Sequence, residues 1–117
     1  IEETAFALDL LHGGAMPVVV TGAMRHPALP GPDGPANVFA AVACAADPAA
    51  RGLGVLVVLD EAIHAAAWVR KTDTTATGAF RSPAPLGWMA EGRPVLRGPA
   101  PRRPPIPVPA GAPVPFV

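Results

Sequence analysis

The sequence predicts an α/β domain organised on a parallel sheet, and three observations predict it. Val55–Leu59 is a continuous apolar run rich in β-branched residues, the pattern of a strand buried on both faces. Residues 17–21, Pro-Val-Val-Val-Thr, form a shorter run of the same kind. Each run follows a segment with helical spacing, and helix, strand, helix, strand is the alternation of a parallel α/β sheet. At 117 residues the chain holds at most one small domain, near the lower limit for a well-buried core.

The first helix is expected over residues 1–11, with Ile1, Ala5, Leu8 and Leu11 along one side and Phe6 and Leu10 beside them. Glu2 and Glu3 suit the positive end of its dipole, although no N-cap residue precedes them, and Gly13-Gly14 closes it. Pro17 is tolerable at the first position of a strand. Gly22 ends that strand, and Ala23-Met24-Arg25 leads into a loop over residues 26–35 with four prolines and two glycines. Asp33-Gly34-Pro35 starts the second helix, with Pro35 near its first position. That helix continues through Asn37, Phe39, Val42 and Cys44 to about Ala46, and Asp47-Pro48 begins a short extra turn ending at Gly52.

The central strand ends at Asp60-Glu61, on the carboxyl edge where open α/β sheets bind ligands. A short apolar connection leads to Arg70-Lys71 and three threonines around Asp73. A lysine among so many hydroxyls, just beyond a core strand, is where chemistry is expected. Phe80 follows, and residues 86–89 and 94–96 flank Glu91-Gly92-Arg93 as a β-hairpin with a glycine turn. From Arg97 onward the chain is proline-rich, with eight of its 17 prolines between Pro99 and Pro115. That composition makes a stiff, extended segment suited to a linker.

Half of the residues are hydrophobic, 50%, and only 15% are charged, against roughly 25% in ordinary soluble domains. Much of the surface is therefore expected to be covered. A formal net charge of zero makes no electrostatic case for nucleic acid or for a membrane surface, and neither is expected as a partner. No run of 18 apolar residues and no signal peptide is present. The single cysteine, Cys44, lies in an alanine-rich helical pattern and reads as a buried small hydrophobe. The chain opens inside a helix and closes on Val114, Phe116 and Val117, which look like the beginning of a strand. We therefore expect a piece of a larger protein.

Several blocks, in order and with family-like spacing, resemble the bacterial-type L-asparaginase family. They are IEETAFALDLL, PVVVTGAMR, the DGPAN helix start, GVLVVLDEAIHAA, VRKTDTT, AFRSP and PLGWMAEGRPV. The resemblance runs from Ile1 to about Arg97, and the proline-rich tail resembles that family's linker to a smaller C-terminal domain. It implies that residues 1–97 are part of a three-layer, parallel-sheet N-terminal domain lacking its N-terminal side. Residues 98–117 would be the linker and the start of the next domain.

The activity implied is hydrolysis of L-asparagine, with some action on L-glutamine, to the amino acid and ammonia. The resemblance further implies a threonine nucleophile, a threonine-aspartate pair and a lysine, with neither metal nor organic cofactor, in a homo-oligomer, dimer or tetramer. The lysine matches Lys71. The threonine-aspartate pair would fall just before Ile1 and the nucleophile further upstream, so neither lies in this chain. Ala23 would bind substrate through its backbone carbonyl. A buried ammonium near a threonine hydroxyl stabilises the alkoxide or, with a lowered pKa, helps remove its proton. Two departures stand out. Ala67 occupies a position four residues before the lysine where the family commonly has arginine, and Gly14 stands near the half-cystine of some secreted relatives. The latter favours the cytoplasm, with the periplasm or secretion still open.

Other readings stand beside these. Taken without the resemblance, Lys71 is a solvated loop lysine, since that is the rule for lysines. Glu61 and His64 have the Glu-x-x-His spacing of helical metal sites, but there is no second such pair and metal is not expected. His12 and His26 read as a helix-end and a loop residue, and Ser82, the only serine, lacks an elbow motif. Trp68 and Trp88 read as core or interface anchors. Two alternatives to an asparaginase remain: the asparaginase-like subunit of a tRNA-dependent amidotransferase, and a non-enzymatic α/β module whose proline-rich tail binds a partner groove.

Overall fold

A computed structural model describes residues 1–100 and 102–111. Helix α1 spans Glu2–Leu11, strand β1 Val18–Val20 and helix α2 Gly34–Ala46. A single 3₁₀ turn, Pro48–Ala50, precedes β2, Val55–Leu59, and β3, Ala62–Ala65. Then come β4, Arg70–Lys71, β5, Phe80–Arg81, β6, Gly87–Ala90, and β7, Arg93–Leu96. Five strands form one sheet in the order β1-β2-β3-β6-β7, and β4 pairs with β5 as a separate two-stranded ribbon.

Strand β2 is the centre of the molecule, and all five of its residues are buried. Its side chains alternate between the sheet's two faces. Leu56 and Val58 pack with Ala40, Ala41 and Cys44 of α2 and with Ile63, Leu86 and Met89. Val55, Val57 and Leu59 pack with Ala5 of α1 and with Val69, Ala79 and Phe80. Helix, sheet and helix therefore make three layers, as the α/β reading expects. Each buried valine or leucine contributes about 1.5–3 kcal/mol over leaving it in water.

The sheet is mixed rather than wholly parallel. Only β1 and β2 run parallel, with Val19 opposite Leu56, and every other pairing in the sheet is antiparallel. The expected apolar connection after Leu59 is itself strand β3, paired so that Leu59 faces Ala62. Asp60-Glu61 is thus the two-residue turn of a hairpin, with φ of 49° and 62°. Two positive φ values belong to a type I′ turn, which normally selects Asn-Gly. The Asn37 side chain holds this one: its Oδ1 accepts from the Asp60 N–H at 3.0 Å.

The predicted hairpin over 86–96 is present, and Glu91 and Gly92, with φ of 50° and 75°, form its turn. Helix α1 stops at Leu11 with His12 extended rather than through a left-handed glycine, and the His12 ring bonds the Met16 carbonyl at 2.7 Å. Asp47 caps the 3₁₀ turn as expected, its Oδ1 accepting from Ala49 N–H at 2.7 Å. Cys44 is fully buried, and desolvation, with Asp47 nearby, pushes its thiol up to about 11.

The described part of the proline-rich tail folds back on α1. The Ile106 N–H donates to the Leu10 carbonyl at 2.7 Å, and an Arg102 N–H to that of His12 at 3.3 Å. Residues 112–117, where the beginning of another strand was expected, lie outside the described residues. Among the described residues no helix is long and apolar enough to cross a membrane.

Gly87 marks the tightest approach in the sheet, because a Cβ there would run into the Val95 carbonyl oxygen. Gly87→Ala should therefore force β6 and β7 apart and cost about 1–3 kcal/mol. Chemical denaturation would show the loss, and an unchanged midpoint would mean that the backbone relaxes freely there.

Candidate active site

The start of α1 touches both the segment after β1, which leads to Ala23, and the β4–β5 ribbon, which carries Lys71. Ile1 packs on the backbone just before Ala23: a Cβ on Gly22 would lie 2.7 Å from the Ile1 Cδ1. The next residue reaches the ribbon. The Glu2 carboxylate accepts the Lys71 backbone N–H at 2.7 Å. Glu2 and Lys71 line a cleft of about 460 Å³ together with Thr72, Asp73 and Thr74.

Lys71 is on β4, opposite Phe80 of β5, so the two side chains share one face of the ribbon. Phe80 is buried in the α1-side core, and the Lys71 Nζ lies 5.9 Å from its ring centroid. That is cation–π range. The expectation of a buried ammonium is not met in this chain, because Lys71 is exposed. The neighbouring acid is engaged elsewhere. Asp73 Oδ1 accepts from the Thr75 N–H at 2.7 Å, the Thr75 hydroxyl at 3.2 Å and the Ala76 N–H at 2.9 Å. The N–H groups of Ala76 and Thr75 hold the Asp73 carboxyl below its ordinary range, so it stays ionised while it closes its own loop. Thr72 continues the ribbon, its N–H donating to the Ala79 carbonyl at 2.7 Å and its hydroxyl to the same oxygen at 3.1 Å.

Ala23 is exposed, and its peptide link to Met24 is clamped. The Met24 N–H donates to Asp33 Oδ2 at 2.9 Å, and the Arg25 N–H to Asp33 Oδ1 at 2.9 Å. A planar trans peptide points its C=O opposite to its N–H. Holding the Met24 N–H on Asp33 therefore turns the Ala23 carbonyl away from α2. Asp33 was expected to open the second helix, yet its side chain makes no cap bond there. It serves the 23–25 segment instead, which the Asp-Gly-Pro pattern does not reveal.

Asn37 completes the clamp. Its Nδ2 donates to the Gly22 carbonyl at 2.9 Å and to Asp33 Oδ2 at 3.1 Å, while its Oδ1 holds the Asp60 turn. It is 3% exposed. Burial alone would raise the Asp33 pKa, but the N–H groups of Arg25 and Met24, its own N–H and the Asn37 amide outweigh it and hold the carboxyl below its ordinary 3.8.

Glu61 and His64 do not form the helical pair considered for a metal. Glu61 is in the hairpin turn and His64 is on β3, where a spacing of three points side chains to opposite faces. A larger cavity, about 510 Å³, opens between the start of α2 and the two hairpin turns, lined by Asp33, Asn37, Asp60, Glu61, Met89 and Glu91. It contains neither Lys71 nor Ala23, and its acidic lining supplies no cation for a substrate carboxylate.

Comparison with known proteins identifies the family and the fold. Residues 1–102 match the family described as Asparaginase, N-terminal. The chain belongs to the asparaginase family. It is 45% identical over 82 residues to L-asparaginase 2 of Bacillus subtilis, covering 70% of this chain and 22% of that protein. It is 40% identical over 94 residues to the glutaminase-asparaginase of Pseudomonas aeruginosa, covering 80% of this chain and 26% of that protein. The crystal structure of a probable cytoplasmic L-asparaginase from Campylobacter jejuni superposes with a TM-score of 0.80 at 36% identity, over 83% of this chain and 32% of that one. The chain thus spans about a quarter of the length of these curated asparaginase relatives.

Removing the Asn37 amide should release several partners at once. Asn37→Ala leaves the part-buried Gly22 carbonyl and Asp60 N–H without this partner, and urea unfolding should show a loss of about 1–3 kcal/mol in all. Asp33 adds an acid sensitivity. Its folded pKa is depressed, so its contribution is complete above its ordinary 3.8 and is lost as pH falls further toward the folded value. The melting temperature should fall in that range, and the fall should be smaller in Asp33→Asn.

Proposed function

We propose that the protein to which this chain belongs is an L-asparaginase that hydrolyses L-asparagine, and to some degree L-glutamine, to the amino acid and ammonia. The single observation that carries the reading is the convergence at the start of α1, where Ile1 packs on Gly22 and Glu2 binds the Lys71 N–H. In this reading, residues just before Ile1 would approach the same place. A threonine-aspartate pair there would have the Lys71 ammonium as its neighbour.

In this reading Lys71 is the catalytic amine. Positive charge beside a threonine hydroxyl favours its ionised form and thereby the proton transfer that amide cleavage needs. Ala23 offers its clamped carbonyl as an acceptor for an N–H of the substrate, and a backbone acceptor at a strand's carboxyl edge needs no special side chain. The threonine nucleophile lies upstream, outside this chain. No step calls for a metal or an organic cofactor.

The working form is a homo-oligomer, a dimer or tetramer. Its support is the apolar surface of α2, where Phe39 and Val42 are 60% and 64% exposed. The reading places the enzyme in the cytoplasm, with Gly14 near the position of a half-cystine found in some secreted relatives. The described tail residues lie against α1, which favours a packed connector over a free ligand for another protein's groove.

In the full-length protein, Lys71→Met should lower kcat by about 10²-fold or more, the usual scale for losing a proton-transfer group. A near-normal rate would return Lys71 to the role of a solvated lysine. The 117-residue chain alone should release no ammonia from asparagine, and measurable turnover by pure material would overturn the assignment of the nucleophile.

A further inference from the structure

His64 is a buried titratable side chain that the proposed chemistry does not use. It is 2% exposed, at the centre of the sheet on β3, opposite Val57 of β2. Its Nδ1 lies 2.7 Å from the hydroxyl of Ser82, the residue that follows β5. Among the described residues its Nε2 is buried with no hydrogen-bond partner. Orphaned buried donors are rarer than orphaned acceptors. The proton therefore belongs on Nδ1, which donates to the Ser82 oxygen and leaves Nε2 as a bare lone pair.

This bond joins two parts of the molecule that share no strand pairing. The β4–β5 ribbon is outside the five-stranded sheet, and its register of Lys71 with Phe80 carries the candidate catalytic amine. His64 belongs to the rigid sheet and Ser82 to the end of the ribbon strand opposite Lys71. A second contact supports the same junction, because the Asp60 carboxylate sits against Gly78, where a Cβ would lie 2.7 Å from Oδ2. We propose that His64 and Ser82 are a positioning pair for Lys71, tethering the ribbon to the central sheet so that the amine keeps its place beside the start of α1. The proposal rests on Lys71 being the catalytic amine.

The tether has a built-in acid limit. A second proton would have to go to Nε2, which has no acceptor, and burial pushes the ring's pKa below its ordinary 6.5. The charged groups sharing its cavity are Asp60 from the β2–β3 turn and Arg81 from β5, one of each sign. Folded His64 is therefore neutral at pH 6.5 and above, where its contribution to holding the ribbon is complete, and that contribution falls as lower pH forces a charge into the buried ring.

The test uses the full-length protein with asparagine as substrate, with Lys71→Met as the control for the reading beneath it. Ser82→Ala should lower kcat about tenfold or more with KM within twofold, the pattern of a misplaced catalytic group. Exchange of the Thr72 amide should quicken while amides of β2 stay protected. Ser82→Thr, which keeps the hydroxyl, should restore kcat. His64→Asn offers an amide nitrogen near the Nδ1 position without a titrating ring, so its activity should persist to lower pH than wild type. If Ser82→Ala leaves kcat unchanged while Lys71→Met is inactive, the positioning role is wrong and the function stands. If exchange quickens across the whole sheet and Ser82→Thr does not rescue, the bond is merely structural and the proposal fails. If Lys71→Met is itself active, both fall together.

Discussion

One buried amide holds together three loops, one of which leads to the Ala23 carbonyl. Asn37, in the first turn of α2, donates to the Gly22 carbonyl after β1 and to Asp33 before the helix, and accepts from Asp60 after β2. A side-chain amide has two donors and an acceptor with two lone pairs, and here both of its ends are used inside the protein. These groups are partly shielded from water, and leaving them unpaired costs more than the bond itself gains, so the arrangement has little freedom to drift. With Asn37 in place, the Asp33 carboxylate faces the 23–25 segment, and the orientation of the Ala23 carbonyl follows from peptide planarity. The turn at Asp60-Glu61 accepts two unfavourable positive φ values under the same constraint.

That constraint also explains which parts of the fold were legible beforehand. The run over 55–59 and the Glu91-Gly92 hairpin declare themselves through burial pattern and turn chemistry, and both are present. Strand β3 does not declare itself. Ala62-Ile63-His64-Ala65 has no β-branched alternation, and Asp-Glu is a poor I′ turn by composition, so the chain seemed to leave the sheet after Leu59. Its pairing is imposed by tertiary contacts: Asn37 on the turn and Val57 and Val58 on the strand. The ribbon strands, two residues each, are too short for any periodicity to reveal.

The candidate site was legible in a different way. Lys71 stood out by its place beyond a core strand and, with Ala23, from blocks of family-like sequence, while their supports did not. Asp33 looked like a helix opener, Ser82 like an isolated serine and His64 like half of a metal pair. Each is a polar side chain whose partner lies distant in sequence or off its own element: Met24 for Asp33, Ser82 for His64. Sequence spacing carries no information about such pairs, because the contact exists only once the sheet has set its register. A histidine three residues after a glutamate has the spacing of a helical metal pair, although metal was not expected, and the strand geometry of β3 removes that pairing.

The exposure of Lys71 follows from the same geometry rather than contradicting it. In this chain the amine lies over the Phe80 ring, with the Glu2 carboxylate on its backbone N–H and Asp73 turned into its own loop. None of these contacts consumes the ammonium's three donors. A lysine meant for a surface ion pair would have a carboxylate aimed at it, and Asp73, two residues away, is aimed elsewhere. An amine on a short ribbon, held from behind by an aromatic ring and without a counter-ion among the described residues, is costly to bury until an acceptor arrives. The position of the amine is set by the ribbon, and its environment by the residues brought to the start of α1.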